Sequence, residues 1–238
     1  MDAIDQINLE ETLELKARAY LSYNHIRSAC FFAKKLLEVE TSCLKEKSDE
    51  LVELHSTYAS SVVIRTVAFL EATVNEFFSD VSDNFFDPKL IDQDLHILVK
   101  RLWELGIPRT AAYPIVDKYQ IGLILCKKEA FDKGTTPYQD IEILIRFRNY
   151  LIHYEPEWQI MPESGNRSDY LLKLEKHLNW KFDLNPIYPK SSVPFPLSHY
   201  SYSAAKWSIS NSILFVDNFF SKLNTVSKLE WMRPELKF

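Results

Sequence analysis

The sequence predicts an all-α fold: an up-and-down helical bundle with an irregular insertion, rich in proline and aromatic residues, before a C-terminal helix. Three observations carry that expectation. Apolar residues recur at three- and four-residue steps along most of the 238 positions. Only four glycines are present, too few for a tight-turned β architecture. Hydrophobic residues make up 46% and aromatics 13%, enough to bury a substantial core, which argues against disorder. One domain over residues 1–238 is expected, with a core over about 50–155, the insertion over 155–200 and a packing helix over 202–229.

From residue 9 to about 47 the pattern is that of one long amphipathic helix. Leu13, Ala17, Tyr20, Leu21, Asn24, Ala29, Phe32, Ala33, Leu36 and Leu37 recur at three- and four-residue steps, with charges between them. Ser48-Asp49-Glu50 reads as a turn and N-cap. A second helix is expected from about Glu50 to Asp80. Its core face is Val63, Val67, Leu70, Val74, Phe77 and Phe78; Arg65, Ala68, Ala72, Asn75 and Glu76 lie opposite. Glu71 falls at the edge of the apolar face. It is either a boundary carboxylate that reaches solvent or the partner of an arginine elsewhere in the bundle.

Asp87-Pro88 opens a third helix, with Asp as cap and Pro as first residue, and Gly106-Ile107-Pro108 ends it after Leu105. Ala111 to Ala130 is expected as a fourth helix starting near Pro114, with Gly122 as a mild defect. Lys133 to Pro137 reads as a loop. The next helix spans about Tyr138 to Tyr154 and is closed by Pro156. Beyond it the chain changes character, with Pro156, Pro162, Pro186, Pro189, Pro194 and Pro196 and one short periodic run, Tyr170–Leu178. Trp158, Tyr170, Trp180, Phe182, Tyr188 and Phe195 are too many aromatics for a solvated linker, so an ordered insertion is expected. A last helix runs from about Tyr202 to Leu229, with Trp207, Ile209, Ile213, Leu214, Val216, Phe219, Phe220 and Leu223 packing back onto the bundle.

The helix over Ile141–Tyr154 holds the unusual chemistry. At 100° per residue, Ile141, Leu144, Ile145, Leu151 and Ile152 share one face, and Ile143, Phe147, Tyr150 and Tyr154 an adjoining one. Only a narrow stripe stays polar: Glu142, Arg146, Asn149 and His153. Arg148 falls within the first apolar face, where a charge is costly without a partner. Glu71 is the partner that could cross the bundle and orient it.

The run Arg148-Asn149-Tyr150-Leu151-Ile152-His153 resembles the signature of the HEPN superfamily, an Arg, four to six residues and then a His, often with a polar residue after the Arg. The stretch Arg65–Glu76 also looks like the long early helix of some prokaryotic members. The likeness covers roughly residues 50–155. It implies a small helical bundle, and many members are metal-independent ribonucleases or toxins that act as dimers. On that basis Arg148 is expected to stabilise phosphate, Asn149 to orient phosphate or histidine, and His153 to act as acid or base. Arg146, also spaced within the family's range, is the rival arginine; Glu71, Asn75 and Tyr154 are supporting residues. Some toxin members carry a modified tyrosine two residues after the His. Glu155 stands there in this chain, so that modification is not carried over.

The residues themselves fit such chemistry. Metal-free RNA cleavage needs the 2′-OH deprotonated, the 5′-oxygen protonated and the phosphorane charge stabilised. Histidine serves the first two tasks and arginine the third. One His per chain is half of an acid–base pair, and a two-fold dimer supplies the other half. The expected reading is a homodimeric endoribonuclease with no cofactor and no metal, in a toxin–antitoxin or phage-defence setting with an antitoxin or defence partner. Two rivals are a catalytically silent module binding RNA, nucleotide or protein, and a structural subunit whose Arg, Asn and His are satisfied interior groups.

Composition sets outer limits. A net charge of −5 argues against a protein that coats nucleic acid, although residues 100–153 hold nine Lys/Arg against six Asp/Glu. Cys30, Cys43 and Cys126 are an odd number without close spacing, so neither a disulfide framework nor a zinc site is expected. The acidic N-terminus and the short apolar run Val62–Leu70, broken by Arg65, point to a cytoplasmic protein without a membrane span. The remaining histidines, His25, His55, His96, His177 and His199, have no partners in sequence.

Overall fold

The computed structural model describes residues 18–85, 93–109, 112–155, 168–189 and 192–238, and these are all-α. Helices α1 (Leu21–Lys45) and α2 (Asp49–Ser82) form an antiparallel hairpin closed by a three-residue turn. Ser48 caps α2 as its sequence predicts: its Oγ accepts from Leu51 N at 3.3 Å, and Asp49 and Glu50 lie in the first turn, favourable at the positive end of the helix dipole. The expected core face of α2 is buried throughout, from Val63 to Phe78.

The single helix expected from residue 9 to about 47 is not continuous: α1 begins at Leu21. Residues 18–20 are not helical, with Tyr20 extended at φ −112°, ψ 106°. Their side chains are held by the end of α2 instead. Arg18 Nε lies 3.0 Å from Asp80, Tyr20 donates to Asp80 at 3.0 Å, and Ser22 donates from both N and Oγ to Glu76 at 2.9 and 2.6 Å. Lys228, from the C-terminal segment, closes on the same buried Asp80. The expected helical residues 9–17 lie outside the described residues.

Helix α3 (Gln93–Glu104) ends at Gly106, whose φ of 84° allows a Schellman motif: Gly106 N donates to Trp103 O and Ile107 N to Leu102 O. Its expected Asp87-Pro88 start lies outside the described residues. Helix α4 (Ile115–Leu125) begins after Pro114 but stops short of the expected Ala130. Lys127 takes a left-handed φ of 54° and closes the same pattern without glycine, Lys128 N reaching Leu123 O. Gly122 is a close-approach position, not a defect: a Cβ there would lie 3.1 Å from the Phe77 ring.

Helix α5 (Tyr138–Ile152) packs on α2 and α7, and α6 (Asp169–Leu178), capped by Ser168, packs on α5. Between α6 and the next helix the chain is held by Asn185, which donates from Nδ2 to the Leu197 carbonyl and from its backbone N to the Ser198 carbonyl, and by Phe195, buried against Phe147 and Tyr150. Trp180 departs from the expected burial at 85% exposed, and Trp158 lies outside the described residues. Helix α7 (Tyr202–Lys222) ends seven residues before the expected Leu229, because Asn224 at φ 60° turns the chain into a short 3-10 segment at Glu230–Glu235. Buried apolar residues from Ile26 to Leu236 form one continuous cluster, with α2 in contact with five other helices. Among the described residues no helix is long and apolar enough to cross a membrane.

Candidate functional site

Helix α5 buries Ile141, Leu144 and Phe147 fully, and this fixes the direction of its polar stripe. That stripe opens on a cleft of about 420 Å³. It is lined by Glu142, Ile145, Arg146, Arg148, Asn149 and His153, by Tyr113 and Pro114 before α4 with Ile115 and Val116 of its first turn, and by Glu71 of α2. The residues that the sequence pattern singles out therefore share one concavity: Arg146, Arg148, Asn149, His153 and Glu71.

Each has a different setting. Arg148 is half-buried, and its Nε is sealed from water with no hydrogen-bond partner. Burial pushes its guanidinium pKa down, partly offset by the charge of Glu71, yet an arginine stays protonated at neutral pH. Arg146 is exposed at the mouth. Asn149 is half-buried, and its carbonyl accepts from His153 N at 2.8 Å, the last bond of the helix. His153 is not the helical residue that the sequence predicts. It is the C-cap, at φ −105°, ψ 43°, and it is exposed. Ending the helix there also brings out Ile152, 47% exposed where the apolar pattern expects burial.

Of the two readings of Glu71, the boundary carboxylate agrees with its side chain, 35% exposed, and the ion pair it makes is with Lys118 and not with Arg148. Glu71 Oε1 lies 3.2 Å from Lys118 Nζ, and Asn75 Oδ1 accepts from the same ammonium at 3.1 Å. Lys118, on α4, is 1% exposed, so its charge needs those partners more than a half-buried guanidinium open to the cleft needs one. Asn75 thus supports the site through Lys118. Tyr154 does not line the cleft; its ring packs edge-on against Tyr150 at 5.7 Å. Lys118 escaped sequence reasoning, and the available signal was composition: Ile115–Leu125 is too apolar all round to have a solvated face, so a lysine inside it must be paired.

The scattered histidines serve packing and local bonds where their partners are described. His55 bonds Glu40 at 3.1 Å, His96 the carbonyl of Val81 at 2.8 Å and His199 Asn179 at 3.0 Å. Cys30, Cys43 and Cys126 are free and buried. Among the described residues no group of three or more His, Cys, Asp or Glu is arranged to hold a metal ion. Comparison with known protein families, curated proteins and solved structures finds no match to this chain.

The lining of the cleft mixes donors and acceptors. The Arg146 and Arg148 guanidinium groups, the Asn149 amide and the His153 imidazole are donors of the kind that phosphate oxygens accept from, while Glu71 and Glu142 are carboxylates in the same lining. A titratable ring within the same concavity adds a means of moving a proton.

Proposed function

We propose that the cleft binds a phosphodiester of RNA and cleaves it without a metal, as a homodimer. The observation that carries this reading is Arg148: a half-buried guanidinium, in no ion pair among the described residues, that lines a cleft also lined by Asn149 and His153. A cation set in this way gains charge-assisted partners when an anion enters the cleft. The likeness of Arg148–His153 to the HEPN signature supports the same reading, and the toxin or phage-defence setting rests on that likeness alone.

In the reaction the 2′-oxygen attacks the adjacent phosphorus and the bond from phosphorus to the 5′-oxygen breaks, leaving a 2′,3′-cyclic phosphate and a 5′-hydroxyl. His153 of one copy takes the 2′-OH proton, and His153 of a second copy, protonated, gives one to the leaving 5′-oxygen. Arg148 and Arg146 hold the non-bridging oxygens, and Asn149 orients them.

A second reading is a binding module without turnover. It is favoured by Glu71 and Glu142 in the cleft, which oppose a dianionic transition state, and by the single histidine that lines it. Cleavage of mixed RNA in EDTA separates the two. Wild type is expected to give cyclic-phosphate ends, while His153→Ala and Arg148→Ala, folded and of the same oligomeric state, lose cleavage. RNA binding without cleavage in wild type, weakened in Arg148→Ala, selects the second reading; binding and cleavage that are both equal in all three proteins remove both.

A further inference from the structure

A second depression, of about 250 Å³, adjoins the cleft and shares two of its residues, Asn149 and His153. Its other walls are Tyr150, Glu155 and Tyr170. Tyr170 comes from α6, is 50% exposed, and its hydroxyl lies 3.5 Å from the Arg146 carbonyl, so its ring leans on the helix that carries the motif. Tyr150 sits beneath, 9% exposed and fixed against Phe195 at 4.8 Å. Glu155 is exposed at the edge. An aromatic face open to solvent, a rigid aromatic floor and a carboxylate at the rim have the chemistry of a nucleobase site: the ring stacks a base and the carboxylate reads its donors.

We propose that this depression is a base subsite for the nucleotide next to the bound phosphate, and that it prefers guanine. The adjacency follows from the shared edge: Asn149 and His153 line both the cleft that holds Arg148 and the depression that holds Tyr170. The preference follows from hydrogen bonding. Guanine presents two neighbouring donors, N1–H and the N2 amine, on one edge, which a carboxylate accepts together; the other RNA bases offer one donor beside an acceptor that a carboxylate repels. The Asn149 amide lies between the two sites and can bond either. The subsite rests on the phosphate-cleft reading for its neighbour, but its recognition of a base does not depend on turnover.

Equilibrium binding of the four nucleoside 3′-monophosphates and of inorganic phosphate, by calorimetry on the full chain, tests it. Wild type is expected to bind all four nucleotides more tightly than inorganic phosphate, and 3′-GMP on the order of tenfold more tightly than 3′-UMP. Tyr170→Ala should weaken all four nucleotides on the order of tenfold and leave inorganic phosphate unchanged. Glu155→Gln should erase the guanine preference while stacking persists. Both side chains are exposed enough for the variants to fold. Nucleotides binding no more tightly than inorganic phosphate, or unaffected by Tyr170→Ala, would overturn the subsite while leaving the cleft reading intact. Tyr170-dependent nucleotide binding with no affinity for inorganic phosphate would keep the subsite and overturn the cleft reading.

Discussion

Lys118 and Glu71 meet at 3.2 Å, and they share that contact unequally: the lysine is 1% exposed and the glutamate side chain 35%. Removing one partner should therefore differ from removing the other. Glu71→Ala leaves a buried ammonium with Asn75 as its remaining partner. It is expected to destabilise by on the order of 2 kcal/mol, below the roughly 3–5 of a fully buried pair because water reaches Glu71. Lys118→Met removes the buried charge and leaves a carboxylate that solvent can take up, at an expected cost under about 1 kcal/mol. Urea denaturation of the two variants checks the order. A larger loss for Lys118→Met would show that the ion pair, and not the desolvated ammonium, governs this corner.

Arg148→Met should separate stability from function. The guanidinium loses hydration on folding and gains no hydrogen bond at Nε, so an apolar side chain of similar length is expected to hold or raise stability, by up to about 1 kcal/mol. RNA cleavage, by contrast, should fall by at least about 100-fold, the usual loss of a preorganised transition-state donor. Denaturant midpoints and single-turnover rates measured on one preparation check both. A destabilised variant would mark Arg148 as a structural residue.

These two residues also show how far the sequence could be read. Arg148 was visible because a charge breaks the apolar period of a helix whose faces are otherwise well separated. The stripe Glu142, Arg146, Asn149 and His153 followed from the same periodicity, and the cleft lies along it. Lys118 was not visible. It sits on a short helix enclosed by α2, α5 and α7, and only the packing of those three distant segments buries it. Helix ends divided in the same way. Ser48 and Ser168 announce their caps by side-chain chemistry, whereas Lys127 and Asn224 end α4 and α7 by left-handed backbone at residues that glycine rules do not flag.

Glu76 should make stability depend on pH. Burial raises its pKa, and the two bonds from Ser22 and the charge of Lys228 offset this only in part. A carboxyl whose folded pKa exceeds its unfolded value binds protons more readily in the fold. Its contribution is therefore full below the ordinary value near about 4.3 and is lost as pH rises through the raised native value. Glu76→Gln keeps an acceptor for Ser22 and is expected to flatten that slope. Denaturant midpoints for both proteins from about pH 4 to about pH 7 check it, and an unchanged slope would assign the dependence to other groups.

Cys30 and Cys126 should be inert in the native state. Burial pushes the Cys30 and Cys126 thiols up to about 11 and raises Cys43 as well. At pH 8 about one thiol in a thousand at either of the first two sites is thiolate, and access is limited besides. Iodoacetamide followed by intact-mass measurement is expected to find at most one label on the native protein and three after denaturation. Rapid native labelling at Cys30 or Cys126 would mean that the bundle opens locally at that site.

Gly122 links the packing of α4 to the cleft. Alanine is intrinsically better in a helix by about 1 kcal/mol, so Gly122→Ala would stabilise an open helix. Here its Cβ would meet Phe77 Cε1 at 3.1 Å and Phe219 Cζ at 3.4 Å. Phe77 cannot turn away freely: it is 3% exposed and packed edge-on between Phe78 and Phe219, with ring centroids 5.3 and 5.2 Å away. The contact is relieved by moving α4 outward by a few tenths of an ångström, and the net effect is expected to be a loss of about 1 kcal/mol. Lys118 stands one turn before Gly122 on the same side of α4, so the shift lengthens its bonds to Glu71 and Asn75. The loss should accordingly shrink in a Lys118→Met background, where no ion pair remains to be stretched. A double-mutant cycle in urea measures that coupling. Additive losses would show that α4 yields around the added methyl group without transmitting the displacement to the cleft.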